Sequence, residues 1–302
     1  MQPNSVKKRE NSLWTYFAYF SWIPVLLVSG IFAWSVYISI IVISRRPDEV
    51  LGIFSIIVFV TIFFMIFWSF LCLIYSTSSI IPEEFKLWTP TIKEQSEAGT
   101  LKKNRVILKD FAKNLPLKTT NSDGSIRYCE KCKHIKPDRC HHCSSCRTCI
   151  LKMDHHCPWI YNCVSFSNYK FFFLFLFYSI LGCLYIIYTT FSDGYNISNI
   201  SELHGDDFQI VTLFYMAMLL CVGATLLLLY HFCLLMKNQT TVERIQKPVF
   251  KSNLSIESYN IGVKNNFLEV FGNNVILWWF PIFTAKGDGI HFPVRYKQTP
   301  DI

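Results

Sequence analysis

Four stretches of the chain run longer than a bilayer is thick without one Asp, Glu, Lys or Arg: about Leu13 to Ile43, Leu51 to Tyr75, Phe171 to Phe191, and Ile210 to Met236. A hydrocarbon core of roughly 30 Å is crossed by about 20 helical residues, so each stretch predicts a transmembrane helix. Between and after them the sequence turns polar, in a long segment from Ser76 to Lys170, a short one from Ser192 to Gln209, and a tail beyond Met236. The first apolar run follows Lys7, Lys8 and Arg9, as a signal peptide would. It is too long for such a peptide's apolar region and leads into more apolar sequence rather than a small-residue cleavage site, so it reads as a retained span. A hydrophobic content of 51%, 17% aromatics and a mean hydropathy of +0.28 agree with a membrane protein rather than a soluble one.

Charge sets an expected orientation. The segment Ser192 to Gln209 carries Asp193, Glu202, Asp206 and Asp207 and no Lys or Arg, so it reads as lumenal or extracellular. The long segment from Ser76 and the tail with Lys237, Arg244, Lys247 and Lys251 are rich in cations and read as cytosolic, as does the N-terminus. Arg45 and Arg46, between the first two spans, oppose this assignment, but Asp48 and Glu49 dilute them and the larger basic segments outweigh them. Sequons at Asn196 and Asn199 suit the lumenal loop, although Asn238 and Asn253 match the same pattern on the other side. The net charge of +8 is explained first by this bias and by anionic lipid. No nucleic-acid recognition fold accompanies it.

Cys129 to Cys163 holds eight of the twelve cysteines and five of the eight histidines. In a reducing cytosol such density reads as metal ligation rather than disulfides. Cys129-x2-Cys132, Cys143-x2-Cys146 and Cys146-x2-Cys149 bring thiolates to spacings that close on tetrahedral zinc, with His142, His155 and His156 as imidazoles. Because Cys140, Cys143, Cys146 and Cys149 recur every third residue, spacing permits several pairings. Two four-ligand sites would leave side chains over. A nucleophile belongs among the unligated cysteines, beside a base. Cys157 follows Asp154, His155 and His156; Cys140, beside His141 and His142 with Asp138 two residues back, is its rival. Cys157 lies fourteen residues before the third apolar run, past Pro158, Trp159 and Tyr161, where a thiol could meet a fatty acyl group.

The stretch YCEKCKHIKPDRCHHCSSCRTCILKMDHHCPWIYNCVSFSNYKFF resembles the cysteine-rich domain of the DHHC family of protein S-acyltransferases. Two spans on each side, Thr240-Thr241-Val242-Glu243 after the fourth span, and the stretch Asn266 to Gly272 extend the resemblance over most of the chain. It implies an α-helical polytopic membrane protein of four transmembrane helices, a cytosolic cysteine-rich domain binding two zinc ions, and a cytosolic C-terminal segment. The implied parts are a tail and two spans (1–75), a linker (76–125), the zinc domain (126–170), two spans with a lumenal loop at 192–209 (171–236), and a C-terminal region (237–302). It implies one structural zinc on Cys129, Cys132, His142 and Cys149 and another on Cys143, Cys146, His156 and Cys163. Cys157 becomes the nucleophile, His155 its base and Asp154 the group that orients the base. The reaction implied moves a long-chain acyl group, such as palmitoyl, from acyl-CoA to Cys157 and then to a cysteine of a membrane-associated protein.

On the same resemblance the acyl chain is expected against Trp159, Phe172 and Phe175. Gly182, about 15 Å beyond Phe172 at the helical rise and paired with Ser35, is expected to leave room for long chains. Arg127, Lys136 and Arg139 are candidate contacts for the phosphates of coenzyme A. Thr240 to Glu243 is expected to dock near the active site with Asn266 and Phe271 beneath it, and Ile276 to Phe280 reads as an interfacial anchor. Golgi membrane is the expected location, with endoplasmic reticulum or plasma membrane as alternatives. Three positions depart from the commonest family pattern: Tyr161 stands where many members have Asn, Ser165 where Gly is usual, and Cys140 where a small residue without metal affinity is frequent. A non-catalytic zinc scaffold is the competing class. A transporter is disfavoured by spans without repeats or Asp, Glu, Lys and Arg.

Overall fold

The computed structural model describes residues 20–44, 49–77, 80–86, 105–195 and 205–297. Four helices are long and apolar enough to cross a membrane: α1 (Ile23–Ser44), α2 (Glu49–Tyr75), α4 (Tyr169–Tyr195) and α5 (Gly205–Met236), with a short α3 (Arg105–Phe111) in between. They match the four apolar runs of the sequence, and the chain is a multi-pass membrane protein. Residues 13–19 of the first run, Arg45 and Arg46, and the sequons at Asn196 and Asn199 lie outside the described residues.

The chain divides into two compact units. The first takes residues 1–74, 157–162 and 174–228, and so contains α1, α2 and most of α4 and α5. Its interior is built by Ile38, Val42, Phe59, Phe63, Ile186, Ile210, Leu213 and Ala217. Its outside is just as apolar, with Leu26, Leu27, Phe54, Val60, Leu219 and Leu226 all exposed, as lipid-facing helices require. Between spans the Tyr185 hydroxyl donates to the Ser55 carbonyl at 3.1 Å and Trp34 Nε1 donates to Gln209 Oε1 at 3.1 Å.

The second unit takes residues 75–156, 163–173 and 229–302. Two hairpins of two- and three-residue strands lie in it, β2 (Tyr128–Cys129) with β3 (His134–Ile135) and β4 (His141–Cys143) with β5 (Thr148–Ile150); a third, β6 (His155–Cys157) with β7 (Asn162–Val164), follows in sequence, its residues 157–162 counting with the first unit. Strands this short bury too little to hold themselves together and depend on what cross-links them. A core of Phe85, Leu108, Leu117, Ile135, Cys140 and Leu151 supports the first two hairpins. The C-terminal region is woven into the same unit: β8 (Val249–Phe250) pairs with β1 (Thr119–Thr120), and β9 (Ile256–Ser258) pairs with β10 (Arg295–Tyr296). Two further helices, α6 (Thr241–Ile245) and α7 (Val263–Phe271), follow the last span. Asn266 of α7, 1% exposed, donates to the carbonyl of Met236 at the end of α5, while Phe271 meets Phe173 edge to face at 5.5 Å.

Candidate active site and metal centres

Two clusters of ligand atoms form in the second unit, Cys129, Cys132, His142 and Cys149 in one and Cys143, Cys146, His156 and Cys163 in the other. In each the histidine presents Nδ1, with Sγ to Nδ1 separations of 3.5, 3.3 and 3.8 Å in the first and 3.6, 3.4 and 3.6 Å in the second. Tetrahedral zinc with Zn–S near 2.3 Å and Zn–N near 2.0 Å sets sulfur and nitrogen about 3.5 Å apart. Donor set and spacing therefore fit zinc in both clusters, and all four positions are filled by protein, as in a structural site.

The clusters are related by a repeat. Adding fourteen to each position of the first set gives the second set. Each cluster joins the thiol turn of one hairpin to the histidine and last cysteine of the next, and the turns share one conformation. Lys133, Arg147 and Tyr161, also fourteen apart, all take a left-handed backbone with φ of 58°, 56° and 46°. In the first two turns the amide of Cys132 or Cys146 donates to the sulfur of Cys129 or Cys143, at 3.4 Å in each. One more step of fourteen arrives at Cys157, Ile160, Lys170 and Phe177, three of which cannot ligate. There the Ile160 amide donates to the Cys157 carbonyl instead, at 3.4 Å. Cys157 thus occupies a zinc-ligand position in a hairpin that lacks the other ligands. The sequence holds this repeat, which a search for thiol spacings alone overlooks.

Tyr161 follows from the same geometry. The left-handed turn position suits Asn better than a bulky residue, and here the ring lies edge-on to Trp22 with centroids 5.2 Å apart. Next to it, Asn162 donates to the carbonyl of Leu73 at 2.9 Å, anchoring the hairpin tip to the end of α2.

On β6 side chains alternate. His156 turns one way, to its metal cluster, and His155 and Cys157 share the other face. The His155 Nδ1 lies 2.6 Å from Asp154 Oδ2. Asp154, 1% exposed, also accepts from the amide and the hydroxyl of Thr241, both at 2.8 Å. Burial would push this carboxyl up; the hydrogen bonds from His155 and Thr241 and the neighbouring imidazoles hold it below its ordinary value. The rival arrangement around Cys140 does not form. Cys140 is fully buried in the apolar core, and Asp138 is spent on the Lys118 amide and on the amide and hydroxyl of Thr119.

Thr241 is delivered by a capping box. The Thr240 hydroxyl accepts from the Glu243 amide and Glu243 accepts from the Thr240 amide, which starts α6 beside Asp154. Glu243 also receives both edges of Arg139, Nε and Nη2 at 2.7 Å each, while Arg139 Nη1 and Nη2 donate to Asn238 at 3.0 and 2.9 Å. Lys152 Nζ meets Glu269 of α7 at 2.6 Å. Burial would raise both glutamates, and Arg139 beside Glu243 and Lys152 beside Glu269 hold them low. Arg139 is 2% exposed and is a structural cation of this network, which corrects its assignment to coenzyme A. Arg127 is half-buried and donates to the Cys140 carbonyl at 2.6 Å, leaving half-exposed Lys136 the more available of the three.

The expected acyl-chain residues divide. Trp159, at the hairpin tip, is 54% exposed. Phe172 is buried with its ring edge toward His155 at 5.4 Å, and Phe175 stacks on Phe70 of α2 at 5.5 Å. The Ser35 hydroxyl is satisfied within α1 by the Phe32 carbonyl at 2.8 Å. Gly182 does not open a space: a β-carbon there would lie 2.9 Å from Ile66 Cδ1 and 3.6 Å from Ile62 Cγ2. The glycine admits α2 to close contact with α4, which corrects the expectation that it lengthens a cavity. His231 of α5 went unremarked in the sequence because a lone histidine in an apolar run carries no spacing signal. It lies with Asp154 and His155 in a group whose ligand atoms fall within 4.8 Å of one another. Asn238, one of the four sequons, is buried with its amide nitrogen donating to Tyr259 and Glu269.

The parts are those of a multi-pass membrane protein with two Cys3His clusters and, two residues before Cys157, a histidine held by an aspartate. Residues 122–248 match the family described as DHHC palmitoyltransferase. The chain is 38% identical over 277 residues to palmitoyltransferase ZDHHC20-B of Danio rerio, covering 91% of this chain and 83% of that protein. It is 40% identical over 277 residues to palmitoyltransferase ZDHHC2 of Danio rerio, covering 90% and 76%. Against palmitoyltransferase ZDHHC15 of Xenopus laevis it is 35% identical over 281 residues, covering 91% and 82%. The chain belongs to the DHHC palmitoyltransferase family, and its activity is protein S-palmitoylation.

Proposed function

We propose that the chain moves a long-chain acyl group from acyl-CoA to Cys157 and from there to cysteines of membrane-associated proteins. The observation that carries this reading is the Asp154–His155 hydrogen bond beside Cys157, a thiol at a repeat position whose turn lacks a second thiol. In the first step His155 takes the Cys157 proton and the thiolate attacks the thioester carbonyl; the bond to coenzyme A sulfur breaks and the leaving thiolate takes the proton. In the second step a substrate thiol gives its proton to His155 and attacks the Cys157 thioester, and Cys157 leaves and is reprotonated. Asp154 keeps the His155 proton on Nδ1, so that Nε2 is the accepting atom. Zinc in the two clusters would tie the short hairpins together and hold β6 in register.

The Lys and Arg distribution supports a cytosolic placement of the cysteine-rich unit and of both termini, with residues 192–209 lumenal and Golgi membrane as the expected compartment. Trp159, Phe172 and Phe175 are assigned to the acyl chain and Lys136 to the coenzyme A phosphates. The test is autoacylation of purified protein with palmitoyl-CoA. Hydroxylamine-labile label is expected on the wild type, and Cys157→Ser is expected to lose it while keeping two zinc ions per chain. Label surviving in that variant overturns the role of Cys157, and none in the wild type overturns the reading in favour of a zinc scaffold.

A further inference from the structure

His231 lies within the fourth span and is 2% exposed. A buried imidazole is costly unless its nitrogens are used. Here Nδ1 is 3.2 Å from the Tyr169 hydroxyl, and the ring meets Phe172 edge to face with centroids 4.9 Å apart. Phe172 presents itself in the same way to His155 at 5.4 Å, and the two imidazoles are 5.8 Å apart. A third metal centre is a poor use of the group, because both oxygens of Asp154 already accept from His155 and Thr241.

The reaction derived above leaves His231 over, and it also leaves a geometric demand unmet. The bond from His155 to Asp154 fixes one nitrogen, but the ring can still pivot about that bond and swing Nε2 away from Cys157. Packing on the ring faces and edges restricts that pivot, together with the side chain's attachment to β6. Phe172 lies at 72° to His155 and His231 at 39°, so two rings of different tilt pack against it. We propose that His231, itself held by Tyr169, is a positioning residue that fixes the ring of His155 for proton transfer. The inference rests on His155 being the proton acceptor in the proposed reaction.

Misplacing an acceptor by an ångström costs on the order of 100-fold. His231→Ala should therefore lower the single-turnover rate of acyl-enzyme formation about 10- to 100-fold, with KM for palmitoyl-CoA nearly unchanged and two zinc ions per chain retained. The decisive arm is a double-mutant cycle with Asp154→Asn. Once His155 has lost its orienting carboxylate, His231→Ala should cost less than about 3-fold more, because the two residues act on one ring.

An equal loss in both backgrounds, a loss carried by KM, an unchanged rate, or a third bound metal in the wild type each overturns the proposal. Should His231→Ala lose zinc, His231→Asn and Tyr169→Phe are read in its place, and unchanged rates in both overturn it as well. His155→Ala separates the two readings. Full activity in that variant refutes the reaction itself, whereas an inactive His155→Ala beside fully active His231 variants refutes only this role.

Discussion

Thr241 touches Asp154 twice, and the two contacts can be separated. Thr241→Val removes the hydroxyl and keeps the amide. A hydrogen bond to a charged group is worth about 1.5–3 kcal/mol, so acyl-enzyme formation should fall about 10- to 100-fold. Thr241→Ser should stay near wild type, and rapid-quench acylation with a zinc assay checks both. At this scale the sequence was informative wherever chemistry is local. Asp154 and His155 stand out in the sequence because carboxylate, imidazole and thiol lie within four residues, and the fold joins the first two at 2.6 Å. Arg139 was misread because a cation in a string of letters does not disclose a carboxylate 104 residues later. His231 carries no signal in the sequence because its partners come from two other segments, α4 and the start of β6.

At the scale of elements the fourteen-residue hairpin repeat separates the clustered thiols from Cys157, the proposed nucleophile. Ile160→Cys restores a second thiol to the turn of Cys157. Under reducing conditions that variant should bind additional zinc and lose acylation as zinc is added, and a chelator should restore it. Wild-type protein should show neither effect, and metal analysis beside the acylation rate decides. The spans were legible from their lack of charge, since lipid admits few alternatives. Helix contacts were not, because an apolar run does not say which face meets which neighbour. Gly182 is the example. Gly182→Tyr should destabilise the protein through its clash with Ile66, and Ile66→Ala should recover part of the loss in thermal unfolding. If Gly182→Tyr alone unfolds like wild type, the contact is not as close as described.

At the scale of the whole molecule, the parts that set Asp154 come from two separate stretches of the second unit's sequence, around residues 139–155 and 238–243. Breaking a buried ion pair by removing one partner costs about 3–5 kcal/mol. Glu243→Gln should therefore loosen the C-terminal region as well as α6, seen as new proteolytic cleavage beyond residue 237 together with a fall in acylation. Protection equal to wild type would argue that Asn238 alone suffices to hold Arg139. The docking of the TTVE stretch was an expectation of the resemblance, yet the cross-links through Arg139 and Lys152 required the folded chain.

The contact between Thr241 and Asp154 also has a bearing on biosynthesis. A ribosome makes the thiol, its histidine and every metal ligand long before it makes Thr241. A chain paused in the fourth span can hold both metal clusters and still lack the residue that seats its aspartate. On the proposed mechanism, full acylating power is expected only once the segment following the last span has been translated and has folded back onto Asp154.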